Sequence, residues 1–150
     1  MSVDEAGRVI EEAVTARVFP AAAIEAGAAD GIILFQQFGG LTFEPDTPAT
    51  IRDTIFDLAS LTKPMVTTPI VMGLIEAGSL RLDSRVADFF DDWRGPDRES
   101  VTVRDLLEHA SGLPARLVDA PPLTRREFEH EIGTIALEYS PRSCSVYSDL

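Results

Sequence analysis

Phe56-Asp57-Leu58-Ala59-Ser60-Leu61-Thr62-Lys63-Pro64 is the stretch on which the fold turns. An apolar approach leads to a serine, and a lysine follows three residues later. On a helix, positions i and i+3 share a face, so Ser60 and Lys63 are within reach of each other. At a helix N-terminus the free N–H groups and the dipole favour negative charge, which suits a serine alkoxide or an oxyanion. Lys63 is the only lysine among 13 basic residues, the others being arginines. Arginine keeps its proton in a protein, whereas a desolvated lysine can be brought low enough to act as a base. The competing reading of this tetrad alone is a solvated helix start with Ser60 as N-cap.

A length of 150 residues suits one domain with a real core. The net charge of −12 argues against nucleic acid and anionic membrane surfaces as partners and is read as solubility. The amino terminus is polar and acidic, and no apolar run approaches the roughly 20 residues of a membrane span. Cys144 is the single cysteine and has no internal partner. These features fit a cytoplasmic protein. Two histidines, His109 and His130, and one cysteine, far apart, form no zinc pattern, and neither metal nor organic cofactor is expected. Gly-x-Ser-x-Gly, Gly-x-Gly-x-x-Gly and P-loop patterns are absent.

In chain order, residues 2–18 read as an amphipathic helix with a Ser2/Glu5 capping box, stopped by Pro20. Residues 21–27 and 32–38 read as strands around Asp30-Gly31, a hairpin signal. The apolar run Ile32–Phe35 predicts a strand covered on both faces. A loop fills 41–55. A buried helix over 60–77 is expected, kinked at Pro69, with Gly78 as its C′ residue. Thr102 and Thr124 open capped helices running to about Ala110 and Leu137. Residues 115–123, with Pro121-Pro122, read as a loop. His109 reads as a structural residue pinning the turn into Ser111-Gly112-Leu113-Pro114, and His130 as a solvated face residue. The expected division is a sheet-containing part, residues 1–78, and the start of a helical part, residues 79–150.

Three stretches, Phe56–Pro64, His109–Pro114 and Tyr147-Ser148-Asp149, taken in this order, resemble the serine β-lactamase and penicillin-binding-protein superfamily. The nearest branch is class C-like and includes esterases. The resemblance spans essentially the whole chain. It implies an α/β (α+β) fold: helix, β-hairpin, central nucleophile helix, then the beginning of an all-helical domain, with the sheet incomplete. It implies that Ser60 is the acylated nucleophile, Lys63 at least in part its proton acceptor, and Tyr147 a partner in proton transfer, on a small ester substrate, or less readily a β-lactam or D-amino amide. Asp149 falls where the family's Tyr-x-Asn motif has asparagine. A carboxylate there raises the lysine pKa, or orients Lys63 in the substrate-binding site.

Family members carry further strands after the helical region, one with a Lys/His-x-Gly motif and an oxyanion-hole N–H. The expectation is therefore either the N-terminal piece of a longer hydrolase or a chain completed by a second chain or a swapped copy. A hairpin alone has unpaired edges and invites self-association. The alternative is a catalytically inactive, truncated homologue acting as a binding or assembly module. Arg142 after Pro141, where relatives often have glycine, is a smaller departure.

Overall fold

The computed structural model describes residues 3–117 and 124–150. The Ser2 cap and Pro121-Pro122 lie outside them. Two compact units, residues 1–57 and 58–150, divide the chain, so the Ser60 segment clusters with the residues that follow it.

The first unit holds α1 (Val3–Thr15), β1 (Ala21–Ala28) and β2 (Gly31–Gly39). Ala6, Gly7, Ile10, Ala13 and Val14 form the better-covered face of α1, which packs on the hairpin. The helix ends before the expected residue 18. Arg17 adopts φ 58°, and the amides of Arg17 and Val18 donate to the carbonyls of Val14 and Ala13. That closes the last turn as a Schellman motif on a non-glycine residue. β1 and β2 pair antiparallel from Ala21↔Gly39 to Ala28↔Gly31, leaving Ala29-Asp30 as the turn. A bulge between Ala26 and Gly27 pairs those two residues with Leu34 and Ile32. The expectation of cover on both faces of 32–35 is corrected. Leu34 is buried, but Ile32 and Ile33 are 54% and 64% exposed, because this two-stranded sheet has α1 as its cover within the unit.

In the second unit the expected single helix over 60–77 is three successive registers. A 3₁₀ turn covers Ala59–Leu61, a π-helical turn Lys63–Thr67, and α2 runs Thr68–Glu76. Pro69 has no N–H to continue an i→i−4 ladder. The chain places it in the first turn of α2, directly after the π turn, instead of kinking a long helix. Gly78, at φ 71°, closes α2 as expected: Gly78 N–H donates to Ile75 O and Ser79 N–H to Leu74 O. The expected burial of this helix is not found. Met65, Ile70 and Met72 are each more than half exposed.

The core of this unit is Val86, Trp93, Val101 and Leu113, ringed by Leu106, Ile132, Ile135, Leu137 and Leu150. α3 (Val103–Leu107) and α4 (Arg125–Thr134) each begin with the expected capping box, Thr102 with Asp105 and Thr124 with Glu127. α4 ends three residues before the expected Leu137. Arg98, 4% exposed, donates to Gly133 O at 2.6 Å and Ile135 O at 2.7 Å, taking up carbonyls at the helix end. Gly112 is irreplaceable where it stands. Its φ is 90°, and a Cβ there would collide with the Tyr139 carbonyl.

Arg142 occupies the left-handed region at φ 66°, a conformation that suits glycine. Its side chain compensates. Nη1 donates to the buried Asp105 carboxylate at 2.7 Å, and Nη2 to Ser100 Oγ at 3.1 Å. Arg142→Gly is expected to remove about 1–2 kcal/mol of backbone strain. Deleting one partner of a buried pair costs about 3–5 kcal/mol, reduced here because the Arg142 side chain is 51% exposed. The net outcome expected in urea denaturation is a loss of about 1 kcal/mol or slightly more.

Candidate active site

Ser60 lies in the 3₁₀ turn and Lys63 opens the π turn. Ser60 and Lys63 face each other across the junction of the two turns, the three-residue spacing keeping both on one side of the chain. Lys63 Nζ donates to Ser60 Oγ at 3.3 Å. Ala59, just before Ser60, sits at φ 45°, a left-handed conformation that costs a residue with a Cβ about 1–2 kcal/mol. Such strain tends to collect at functional sites.

Tyr147 and Asp149 arrive on the segment 145–150, in which exposed and better-covered residues alternate. Its alternation explains the geometry, since successive side chains of extended backbone point to opposite sides. Ser148 points inward, is 4% exposed and donates to Pro114 O at 2.6 Å. Tyr147 and Asp149 point to Lys63, whose Nζ donates to Tyr147 Oη at 3.0 Å and to Asp149 Oδ1 at 2.8 Å. Backbone bonds from Val146 N–H to His109 O and from Asp149 N–H to Ala115 O hold the segment in place. All four side chains singled out by sequence are thus together. A cavity of about 240 Å³, lined in part by Lys63, Thr67, Leu106, Leu107 and His109, adjoins them.

The surroundings of Lys63 hold its proton more tightly, the effect expected of a carboxylate at position 149. Lys63 is raised above its ordinary 10.5, first by the hydrogen bond to Asp149 and then by that to Tyr147, with partial desolvation opposing. The Tyr147 phenol is lowered from 10.0, first by Lys63 and then by a hydrogen bond with Ser60. Asp149 is lowered, chiefly by Lys63. Near neutral pH the lysine is an ammonium, and the group made more acidic is the phenol. Asp149 is the physical reason: its carboxylate lies against the amine.

His109 was expected to pin a turn, and it does. It is the left-handed residue, φ 54°, that ends α3: His109 N–H donates to Leu106 O and Ala110 N–H to Asp105 O. Sequence reasoning did not anticipate its contact with Tyr147, where the ring centroids are 4.7 Å apart. His130 is solvated as expected, though Nδ1 lies 3.1 Å from Asp92 Oδ2. Among the described residues, no helix is long and apolar enough to cross a membrane.

A mixed helix-and-strand chain with serine, lysine and tyrosine drawn into one hydrogen-bonded cluster defines a class of proteins built around such a site. The beta-lactamase family profile matches residues 6–150, and the chain belongs to that family. Penicillin-binding protein 4 of Amycolatopsis lactamdurans is 41% identical over 68 residues, covering 43% of this chain and 18% of its own length. Esterase EstB of Burkholderia gladioli is 36% identical over 90 residues, covering 57% of this chain and 23% of its own. The chain therefore spans about a fifth of the length of these curated relatives. Among solved structures, the octameric penicillin-binding protein homologue from Pyrococcus abyssi superposes with a TM-score of 0.77 at 25% identity, covering 99% of this chain and 36% of that one. A class C beta-lactamase from Rhodobacter sphaeroides gives 0.73 at 23% identity, over 95% and 39%. The fold is that of the matched part of these structures.

Proposed function

We propose that the protein is a serine hydrolase acting on small esters through an acyl intermediate on Ser60. The observation that carries this reading is Lys63 Nζ bonded at once to Ser60 Oγ, Tyr147 Oη and Asp149 Oδ1. Tyr147, as phenolate beside the Lys63 ammonium, takes the Ser60 proton while Oγ bonds to the acyl carbon. The same proton passes to the departing alkoxide as the ester C–O bond breaks. Water, giving a proton back to Tyr147, then attacks the acyl carbon and releases the acid and the Ser60 hydroxyl. Lys63 stays charged and stabilises the phenolate. Asp149 holds Lys63 and helps shape the substrate site. The esterase relative, and the carboxylate in place of the family's asparagine, favour an ester over a β-lactam or D-amino amide.

The test is intact-mass measurement after incubation with an activated ester: one acyl group on the wild-type chain, none on Ser60→Ala. An adduct of equal extent on Ser60→Ala removes Ser60 from its role. The pH profile of labelling should rise as Tyr147 ionises below the usual tyrosine range. It should fall only above the usual lysine range, as Lys63 loses its proton. Asp149→Asn removes the largest cause that raises Lys63, so the falling limb should move to lower pH; an unmoved limb would contradict the roles given to this pair.

A second reading, a non-catalytic binding or assembly module, is favoured by the exposed apolar side chains around the site segment. Ile55 is 95% exposed, and Leu58, Leu61, Met65 and Ile70 are each 50–60% exposed. It predicts no acyl adduct together with concentration-dependent mass in sedimentation equilibrium.

A further inference from the structure

We propose that His109 is a positioning residue for Tyr147, acting through a neutral imidazole whose Nδ1 is a hydrogen-bond acceptor. This deepens the proposed function and rests on Tyr147 being the proton acceptor there.

One residue grips the chain on both sides of the phenol. His109 O accepts from Val146 N–H at 2.9 Å, and His109 Nδ1 accepts from Ser148 N–H at 3.2 Å. The ring packs against that of Tyr147 at 4.7 Å and 41°. An amide N–H can only donate, so Nδ1 must carry a lone pair and the proton must sit on Nε2. Tyr147 is 51% exposed, and an exposed phenol is poorly located by burial alone. Its placement at 3.0 Å from Lys63 comes instead from the backbone of residues 146 and 148. The left-handed turn at the end of α3 aims the imidazole at that backbone, and histidine is among the few non-glycine residues that enter this region readily. His109 and Ser60 are on different segments, and no contact between them is needed.

The imidazole state is read directly by nitrogen NMR of the labelled protein in a His130→Gln background, leaving His109 as the one histidine. The expected spectrum shows an unprotonated Nδ1 and a protonated Nε2. The opposite tautomer overturns the proposal. Function is read from the Tyr147 titration, followed by tyrosinate absorbance and assigned by difference with Tyr147→Phe. In His109→Ala the midpoint should return toward the ordinary tyrosine range, and ester labelling of Ser60 should slow by about 10²-fold, as expected for a misplaced catalytic group. His109→Asn, which keeps an acceptor near the position of Nδ1 and tolerates the left-handed turn, should retain the lowered midpoint. Near-isosteric His109→Leu should not. Equal midpoints in the Asn and Leu variants overturn the proposal, and that contrast decides even where the Ala variant is unfolded. If the midpoints behave as stated but no variant, nor the wild type, is acylated, the hydrolase reading fails and the positioning role stands.

Discussion

Ser60→Ala is expected to slow ester acylation by about 10⁶-fold, the order seen when an activated serine nucleophile is deleted in a worked protease case. The expectation follows from the interdependence of the cluster. Tyr147 is more acidic than usual because Lys63 and Ser60 both bond it, and without Oγ the proton acceptor has no hydroxyl to activate toward the acyl carbon. The fold should not change. Ser60 is exposed, and Lys63 keeps Tyr147 and Asp149 as partners. Unfolding free energy should therefore stay within about 0.5 kcal/mol of wild type. Stopped-flow labelling and urea denaturation on the same sample separate the two effects. A loss of labelling accompanied by large destabilisation would mean that Ser60 acts through the fold.

Arg98→Met should have the largest effect on stability. Methionine fills much of the space but donates nothing. The carbonyls of Gly133 and Ile135 lose their guanidinium donors at a buried helix end, each at about 1–3 kcal/mol. The cation over the Trp93 ring, 5.3 Å from its centroid, is lost as well, worth about 0.5–2 kcal/mol. The Trp93 bond to the Arg98 backbone carbonyl survives. A total loss of about 3 kcal/mol is expected by chemical denaturation, since such terms do not add fully. A loss under about 1 kcal/mol would show that the end of α4 finds other donors.

The parts of this molecule that sequence could reach are those set by neighbours a few residues away. The Ser60/Lys63 spacing, the caps at Thr102 and Thr124, the hairpin between residues 28 and 31 and the Gly78 stop each depend on local chemistry, and the structure has all of them, with the hairpin turning at Ala29-Asp30 and not at Asp30-Gly31. The nearness of Asp149 to Lys63, 86 positions apart in the chain and 2.8 Å in space, was reached only through the family resemblance, because sequence separation by itself says nothing about that distance. Arg98 was missed for the same reason: its buried acceptors lie 35 and 37 residues further on. The left-handed turns at Arg17 and Arg142 were hidden because neither residue type announces positive φ as glycine does. Full burial was overestimated for 32–35 and 60–77 because an apolar run reports a preference, while the neighbours in space decide whether it is met.

The π turn Lys63–Thr67 runs straight into α2 and so sets a fixed offset between the rotational phase of the reactive serine and lysine and that of the helix. The length of this turn decides which side of α2 faces the same way as Ser60. Removing one residue from 64–67 would reset that offset. It would turn every side chain of α2 by about 100° relative to the serine, a change to the whole helix produced by the smallest possible edit.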